Sequence, residues 1–135
     1  MSLDRFVKAQ AGVYDRALAE LKAGRKRTHW MWFIFPQIAG LGHSAMAQTY
    51  AIHSLQEARD YLADPVLGAR LRECCAAVMA VEDKSARTIF GSPDDLKFRS
   101  SLTLFDLASP NDIFRTALEK YFDGKEDALT LQQLV

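Results

Sequence analysis

Three stretches of the chain concentrate residues able to bind or transform a small molecule. The first, Arg25-Lys-Arg-Thr-His-Trp-Met-Trp32, sets three cations and His29 directly before both tryptophans of the protein. Guanidinium groups grip phosphate oxygens in a bidentate fork, and an indole face stacks on a base or nicotinamide ring. Arg25, Arg27, His29, Trp30 and Trp32 therefore hold the parts of a site for a nucleotide-like ligand. The plainer reading of the same residues is structural. Arg25–Arg27 would be a solvated cap near the negative end of a first helix, and Trp30, Met31, Phe33 and Ile34 would fill a core. On a helix, Trp30 and Ile34 share one face and Trp32 lies on another, so one tryptophan can be core and the other pocket.

The second stretch is Pro36-Gln-Ile-Ala-Gly-Leu-Gly-His-Ser44. Gly40 and Gly42 permit close backbone approach, Gln37 carries an amide, and Ser44 at a helix start would direct free N–H groups at an anion. A lone Gly-x-Gly without a preceding strand or third glycine is no dinucleotide fingerprint, and a plain turn is the preferred reading over an anion cradle. The third stretch, Ser92-Pro-Asp-Asp-Leu-Lys-Phe-Arg-Ser-Ser101, crowds Asp94, Asp95, Lys97 and Arg99 into one turn and a half of helix. Asp95 suits general acid/base work, and Asp94, Lys97 and Arg99 suit ligand binding. Against this stands an ordinary helix start. Acids complement the dipole in a first turn, and Asp95 and Arg99, four apart, are spaced to pair. Glu57 is a second catalytic candidate, the one acid close behind the aromatic stretch, although it also completes a capping box with Ser54.

His29, His43, His53, Cys74 and Cys75 show no metal-ligand spacing, so neither a metal nor another cofactor is expected. The adjacent cysteines fall in a helical pattern where their side chains diverge, and they read as packed, reduced thiols.

The elements that must position these groups are legible from periodicity and caps. Residues 3–23 read as a first helix, ended by Gly24. A short segment spans Trp30–Phe35, helix or strand, and Pro36 ends it. Ser44 can start a helix through Tyr50, and Ser54-Leu-Gln-Glu57 opens another to about Ala63. Asp64-Pro65, Ser92-Pro93 and Ser109-Pro110 each place a capping side chain before a proline, announcing helices near 65–82, 93–107 and 110–123. Gly124 closes the last of these, and 128–134 adds a final turn or two. No alternating strand pattern or hairpin signal occurs. The expectation is an all-α, multihelical single domain over 1–135, with about six to eight helices and little or no sheet.

Composition bounds the rest. The chain has 135 residues, 49% of them hydrophobic, enough for one core without disulfides. Seventeen basic and seventeen acidic residues cancel, which argues against a general nucleic-acid or membrane surface. From Thr28 to Gln56 there is no charged residue, although 25% of the chain is charged, and that silence implies burial. No stretch has the length of a membrane span or the apolar core of a signal peptide, so a cytoplasmic protein is expected.

The motifs DRFVKAQ, GRKRTHWMWFIFPQIAGLGHS, YLADPVLGARL and IFGSPDDLKFRSSLTLF resemble, over almost the whole length, a bacterial family catalogued as a domain of unknown function, DUF1810, and sometimes labelled calpastatin-like. The resemblance implies a mainly helical fold and supplies no activity. The label itself fits poorly, because a calpain inhibitor acts as a disordered chain and this sequence has a core and caps. A more remote likeness, to the superfamily associated with NAD and ADP-ribose (NADAR), implies Glu57 as an early acid and Asp94–Arg99 as a polar helix. Together these readings favour a nucleotide- or ADP-ribose-like small-molecule binder or N-glycosidase. A protein–protein module or homodimer using the aromatic segment is the alternative.

Overall fold

The computed structural model describes residues 2–134. Among them are ten helices: α1 Asp4–Gln10, α2 Tyr14–Lys22, α3 Met31–Ile34, α4 Ala45–Thr49, α5 Leu55–Ala63, α6 Leu67–Met79, α7 Ala86–Phe90, α8 Asp94–Ala108, α9 Ile113–Phe122 and α10 Ala128–Gln133. The all-α expectation holds, and the count exceeds the six to eight expected. Two features account for the excess. The stretch read as one first helix breaks at Gly12, whose φ of 76° is left-handed, into α1 and α2. The single turn α7, capped by Ser85 Oγ accepting from Thr88 N at 3.1 Å, has too short a period to register in sequence. Extended pairing is limited to one parallel bridge between Ile38 and Ile52. Among the described residues no helix is long and apolar enough to cross a membrane.

Several caps differ in detail from the sequence pattern. Asp64 caps α6 as expected, its Oδ1 accepting from Val66 N and Leu67 N at 2.9 and 3.0 Å. Ser109 instead donates to Asp112 Oδ2, and Asp112 Oδ1 takes the cap of α9. Ser92 makes no cap, and its peptide to Pro93 is cis.

The centre of the packing is α8, which meets α5, α7, α9 and α10, while α6 packs on α2, α5 and α9. From Ser100 to Asp106 every α8 residue is buried. A helix enclosed on all sides cannot show a clean amphipathic stripe, and its polar members must be satisfied internally. Thr103 Oγ1 accordingly donates back to Arg99 O at 2.9 Å, and Asp106 pairs with Arg115 at 2.6 Å. The aromatic segment packs on the N-terminal half of α8. Phe35 meets Phe98 edge-on at 5.0 Å, and Phe90 stacks on Phe98 at 4.6 Å. Each such pair contributes about 0.5–1.5 kcal/mol beyond the area it buries.

Candidate functional site

The loop that leads into the aromatic segment is held by Glu20, a residue that sequence reasoning passed over. Glu20 is 9% exposed on the inner face of α2. Its carboxylate accepts from Arg27 N (2.7 Å), Thr28 N (3.0 Å), Thr28 Oγ1 (2.7 Å) and Trp30 Nε1 (3.0 Å). Burial pushes its pKa up, but these four donors outweigh burial and hold it at about 2. Its signal was an acid three residues after Ala17, inside the apolar face of α2. Thr28 gives both its N–H and its hydroxyl to Glu20.

This cage fixes the fate of the first stretch. Trp30 is fully buried and Phe33, Ile34 and Phe35 nearly so. Trp32 alone of the two tryptophans is partly exposed. Arg25, Arg27 and His29 are exposed to solvent, and none of them borders either of the two hollows described below. Lys26 does join the third stretch. Its backbone N–H donates to Ile89 O at 2.8 Å, and its ammonium sits 5.0 Å over the Trp30 ring and 2.9 Å from Asp94 Oδ2.

Two adjoining hollows form where the first and second stretches meet α8. The upper one, of about 120 Å³, lies between Trp32, the 37–42 loop, α4 and His53. The lower one, of about 240 Å³, lies between the same loop, Leu96, Lys97 and Ser100 of α8, and Asp127 and Leu129 at the start of α10. Gln37 and Gly42 border both. Singly they fall below the usual ~300–1,000 Å³ of small-molecule sites, and a ligand spanning both would occupy a volume just inside that range. The loop between them is pinned by Ile52 N donating to Gln37 O and Ala39 N donating to Ile52 O, each at 2.8 Å.

The glycines of this loop serve close packing rather than an anion. A Cβ on Gly40, whose φ is 99°, would lie 2.6 Å from Gln133 Oε1, and one on Gly42 would lie 2.6 Å from the Ala47 Cβ. Ser44 is occupied as the α4 cap, its Oγ accepting from Ala47 N at 3.1 Å.

The polar groups on the walls are unequally committed. Lys97 Nζ stands 5.6 Å over the Trp32 ring and 3.7 Å from Asp94 Oδ1. Gln48 Nε2 donates to His43 O at 3.0 Å. Ser100 Oγ is 3.1 Å from Asp127 Oδ2, which also accepts from Thr130 N and Oγ1 at 3.0 and 2.6 Å. Among the described residues, the Gln37 amide, the His53 ring, the Tyr50 hydroxyl and Trp32 Nε1 have no protein partner on these walls. Sequence reasoning missed His53, Ser100 and Asp127 as wall residues. His53 had been weighed only for metal spacing, and the other two gave no local signal.

The proposed catalytic acids lie elsewhere. Glu57 Oε1 accepts from Arg5 Nη2 at 3.1 Å and His53 N at 2.9 Å, a clamp between α1 and the start of α5, and borders neither hollow. The Asp95–Arg99 pair does not form. Arg99 turns away to donate to Lys125 O and Glu126 O at 2.8 and 3.0 Å, and Asp95 Oδ1 is left buried without a partner. The cysteines are buried, and burial pushes both thiols up to about 12, which leaves them unreactive as nucleophiles at neutral pH. The arrangement supplies a ring face, a cation above it, a free amide and a carboxylate on a neighbouring wall. That is equipment for recognition.

A family model described as "Protein of unknown function (DUF1810)" matches residues 1–134. The chain is similar to the conserved hypothetical protein Rv1873 from Mycobacterium tuberculosis, known from a crystal structure. The two are 53% identical, with a TM-score of 0.96 over 98% of this chain and 95% of that one. No curated protein matches. The remote likeness to the NAD- and ADP-ribose-associated superfamily finds no support in these comparisons.

Proposed function

Since the chain belongs to DUF1810, a family of unknown function, we propose from its own geometry that it binds a small planar heterocyclic compound of nucleoside size in the joined hollows. The observation that carries this reading is the meeting of the tryptophan stretch and α8. Lys97 Nζ lies 5.6 Å from the Trp32 ring centre, with Gln37 bordering the hollows on both sides. A half-exposed indole offers stacking area at little conformational cost. The lower hollow, lined by Ser100 and Asp127 beside Leu96 and Leu129, suits a hydroxylated appendage such as a sugar.

Hydrolysis is not part of the reading. Asp94 is neutralised by Lys26, Asp127 Oδ2 already accepts three donors, and Glu57 and Asp95 border neither hollow. The carboxylate that borders the lower hollow, Asp127, is tied through Oδ2 to Ser100 and the start of α10, a positioning role.

Thermal denaturation with adenosine, guanosine, nicotinamide riboside and ribose as separate probes tests the reading. A binder at about 100 times its dissociation constant adds roughly 2.7 kcal/mol to stability and raises the melting temperature visibly. Shifts with ring-bearing compounds that vanish in Trp32→Ala are expected. Shifts that survive Trp32→Ala, or none with any probe, overturn it.

A further inference from the structure

Gln37 is the one unpartnered polar side chain that borders both hollows among the described residues, and its amide both donates and accepts. Most of the charged and amide side chains on the walls are occupied, while the Tyr50 hydroxyl, Trp32 Nε1 and the His53 ring, like Gln37, have no protein partner among the described residues. Lys97 is drawn to Asp94, Gln48 donates to His43 O, and Ser100 and Asp127 bond each other. Gln37 has no such partner among the described residues. Its carboxamide can donate two hydrogen bonds and accept two, a capacity that is costly to leave unused once a ligand displaces water.

Its backbone is held at the same time. The Gln37 carbonyl accepts from Ile52 N at 2.8 Å, the next residue forms the bridge to Ile52, and Pro36 before it is buried. A free polar group on a fixed backbone, set where the two hollows join, is preorganised for recognition.

We propose, resting on the reading of the cleft as a heterocycle site, that Gln37 reads the ligand's edge and selects rings carrying a hydrogen-bond donor beside an acceptor. Adenine has that pattern in its exocyclic amino group and ring nitrogen, and a carboxamide-bearing ring has it in its amide. A primary amide forms two parallel bonds to such an edge. A ring lacking the donor would leave one pole of the Gln37 amide unpaired within the cleft, which is how polar sites reject close analogues.

Isothermal titration with adenosine, purine riboside, which lacks the amino group, and guanosine distinguishes the outcomes. The wild-type protein is expected to favour adenosine over purine riboside by roughly 5- to 150-fold, the range of one bidentate pair. Gln37→Leu should bring that ratio close to one. Gln37→Glu, nearly identical in shape, presents two acceptors and should favour guanosine, whose ring N–H and amino group are adjacent donors, over adenosine. This variant also carries the test if Gln37→Leu disturbs the loop, as far-ultraviolet circular dichroism would reveal. Equal wild-type affinities for adenosine and purine riboside, with binding still lost in Trp32→Ala, would overturn the role of Gln37 and leave the cleft standing. Absence of binding by all three nucleosides would overturn both. An adenosine preference that persists in Gln37→Leu and Gln37→Glu would overturn the role of Gln37 alone.

Discussion

One carboxylate, that of Glu20, decides what the most conspicuous residues of the chain do. By collecting two backbone N–H groups, the Thr28 hydroxyl and the Trp30 indole N–H, it turns Trp30 inward and leaves Arg25 and Arg27 outside. Its pKa falls from the ordinary 4.5 to about 2, so the folded state stays ionised where the unfolded chain takes up a proton. Stability from the cage is therefore complete above about pH 4.5 and is lost as pH falls toward 2. At 1.36 kcal/mol per pKa unit that is on the order of 3 kcal/mol. Urea denaturation between neutral pH and pH 2 should show this decline, and Glu20→Gln should flatten it. An unchanged acid limb in the variant would contradict the role given to Glu20. At the same scale, burial raises both cysteine thiols to about 12. Iodoacetamide at pH 8 should leave Cys74 and Cys75 unmodified in the folded protein and alkylate both in urea, as mass spectrometry would show. The cage was only half legible in sequence. An acid on an apolar helix face was visible, but its four partners, seven to ten residues away, depend on how the loop folds back.

Among the elements, the junction of the 24–29 loop with α8 carries the greatest electrostatic stake. The Lys26 side chain is 7% exposed and relies on Asp94 for its counter-charge. Asp94→Ala would leave that ammonium buried and unpaired, at a cost of about 3 kcal/mol, whereas Lys97→Ala, at a more exposed group, should cost less than about 1 kcal/mol. Chemical denaturation of the two variants checks the order. Ligand binding should respond to Lys97→Ala as well, because its ammonium sits over Trp32. The crossing of α5 and α6 makes a separate steric demand. A Cβ on Gly68 would fall 2.1 Å from the Leu62 carbonyl oxygen, so Gly68→Ala must push the helices apart. A loss of about 3 kcal/mol is expected there. Gly91, with φ of 77° and no neighbour within 4 Å, should lose only about 1 kcal/mol on the same change. Helix starts at Ser44, Ser54 and Asp64 followed from the sequence, because a cap is a local hydrogen bond. The caps of α8 and α9 did not, because Ser109 found a stronger partner in Asp112 and Ser92 made no cap at all.

At the scale of the whole molecule, the C-terminal helix completes a site begun near residue 30. Asp127 N donates to Thr103 Oγ1 at 2.9 Å, Thr130 is fully buried, and the Gln133 amide lies against Gly40. Deleting residues 128–134 should therefore lower the melting temperature and open the lower hollow. Weakened binding of a nucleoside-sized probe should follow, while affinity for the bare heterocycle in the upper hollow changes less. Calorimetry of the shortened chain against adenine and adenosine measures both effects. Equal losses for the two probes would contradict the division of the cleft.

Although the burial expected of the whole uncharged stretch fails in α4, which buries no residue, the sequence alone determined the all-helical class, most helix starts, burial of most of the Trp30–Phe35 run and membership of the family. These rest on local hydrogen bonds, on periodicity and on motif identity, which neighbouring residues encode. Only the tertiary structure decided that α8, with its serines, threonine and aspartate, is the buried centre. It alone turned Trp30 inward and left Trp32 partly exposed, gave Glu57 to Arg5, turned Arg99 away from Asp95, and brought Gln37, Lys97 and Asp127 to adjoining walls. Those outcomes are choices among competing partners far apart along the chain. Such choices are made by packing, which fixes which donor, acceptor or ring arrives first at a given place.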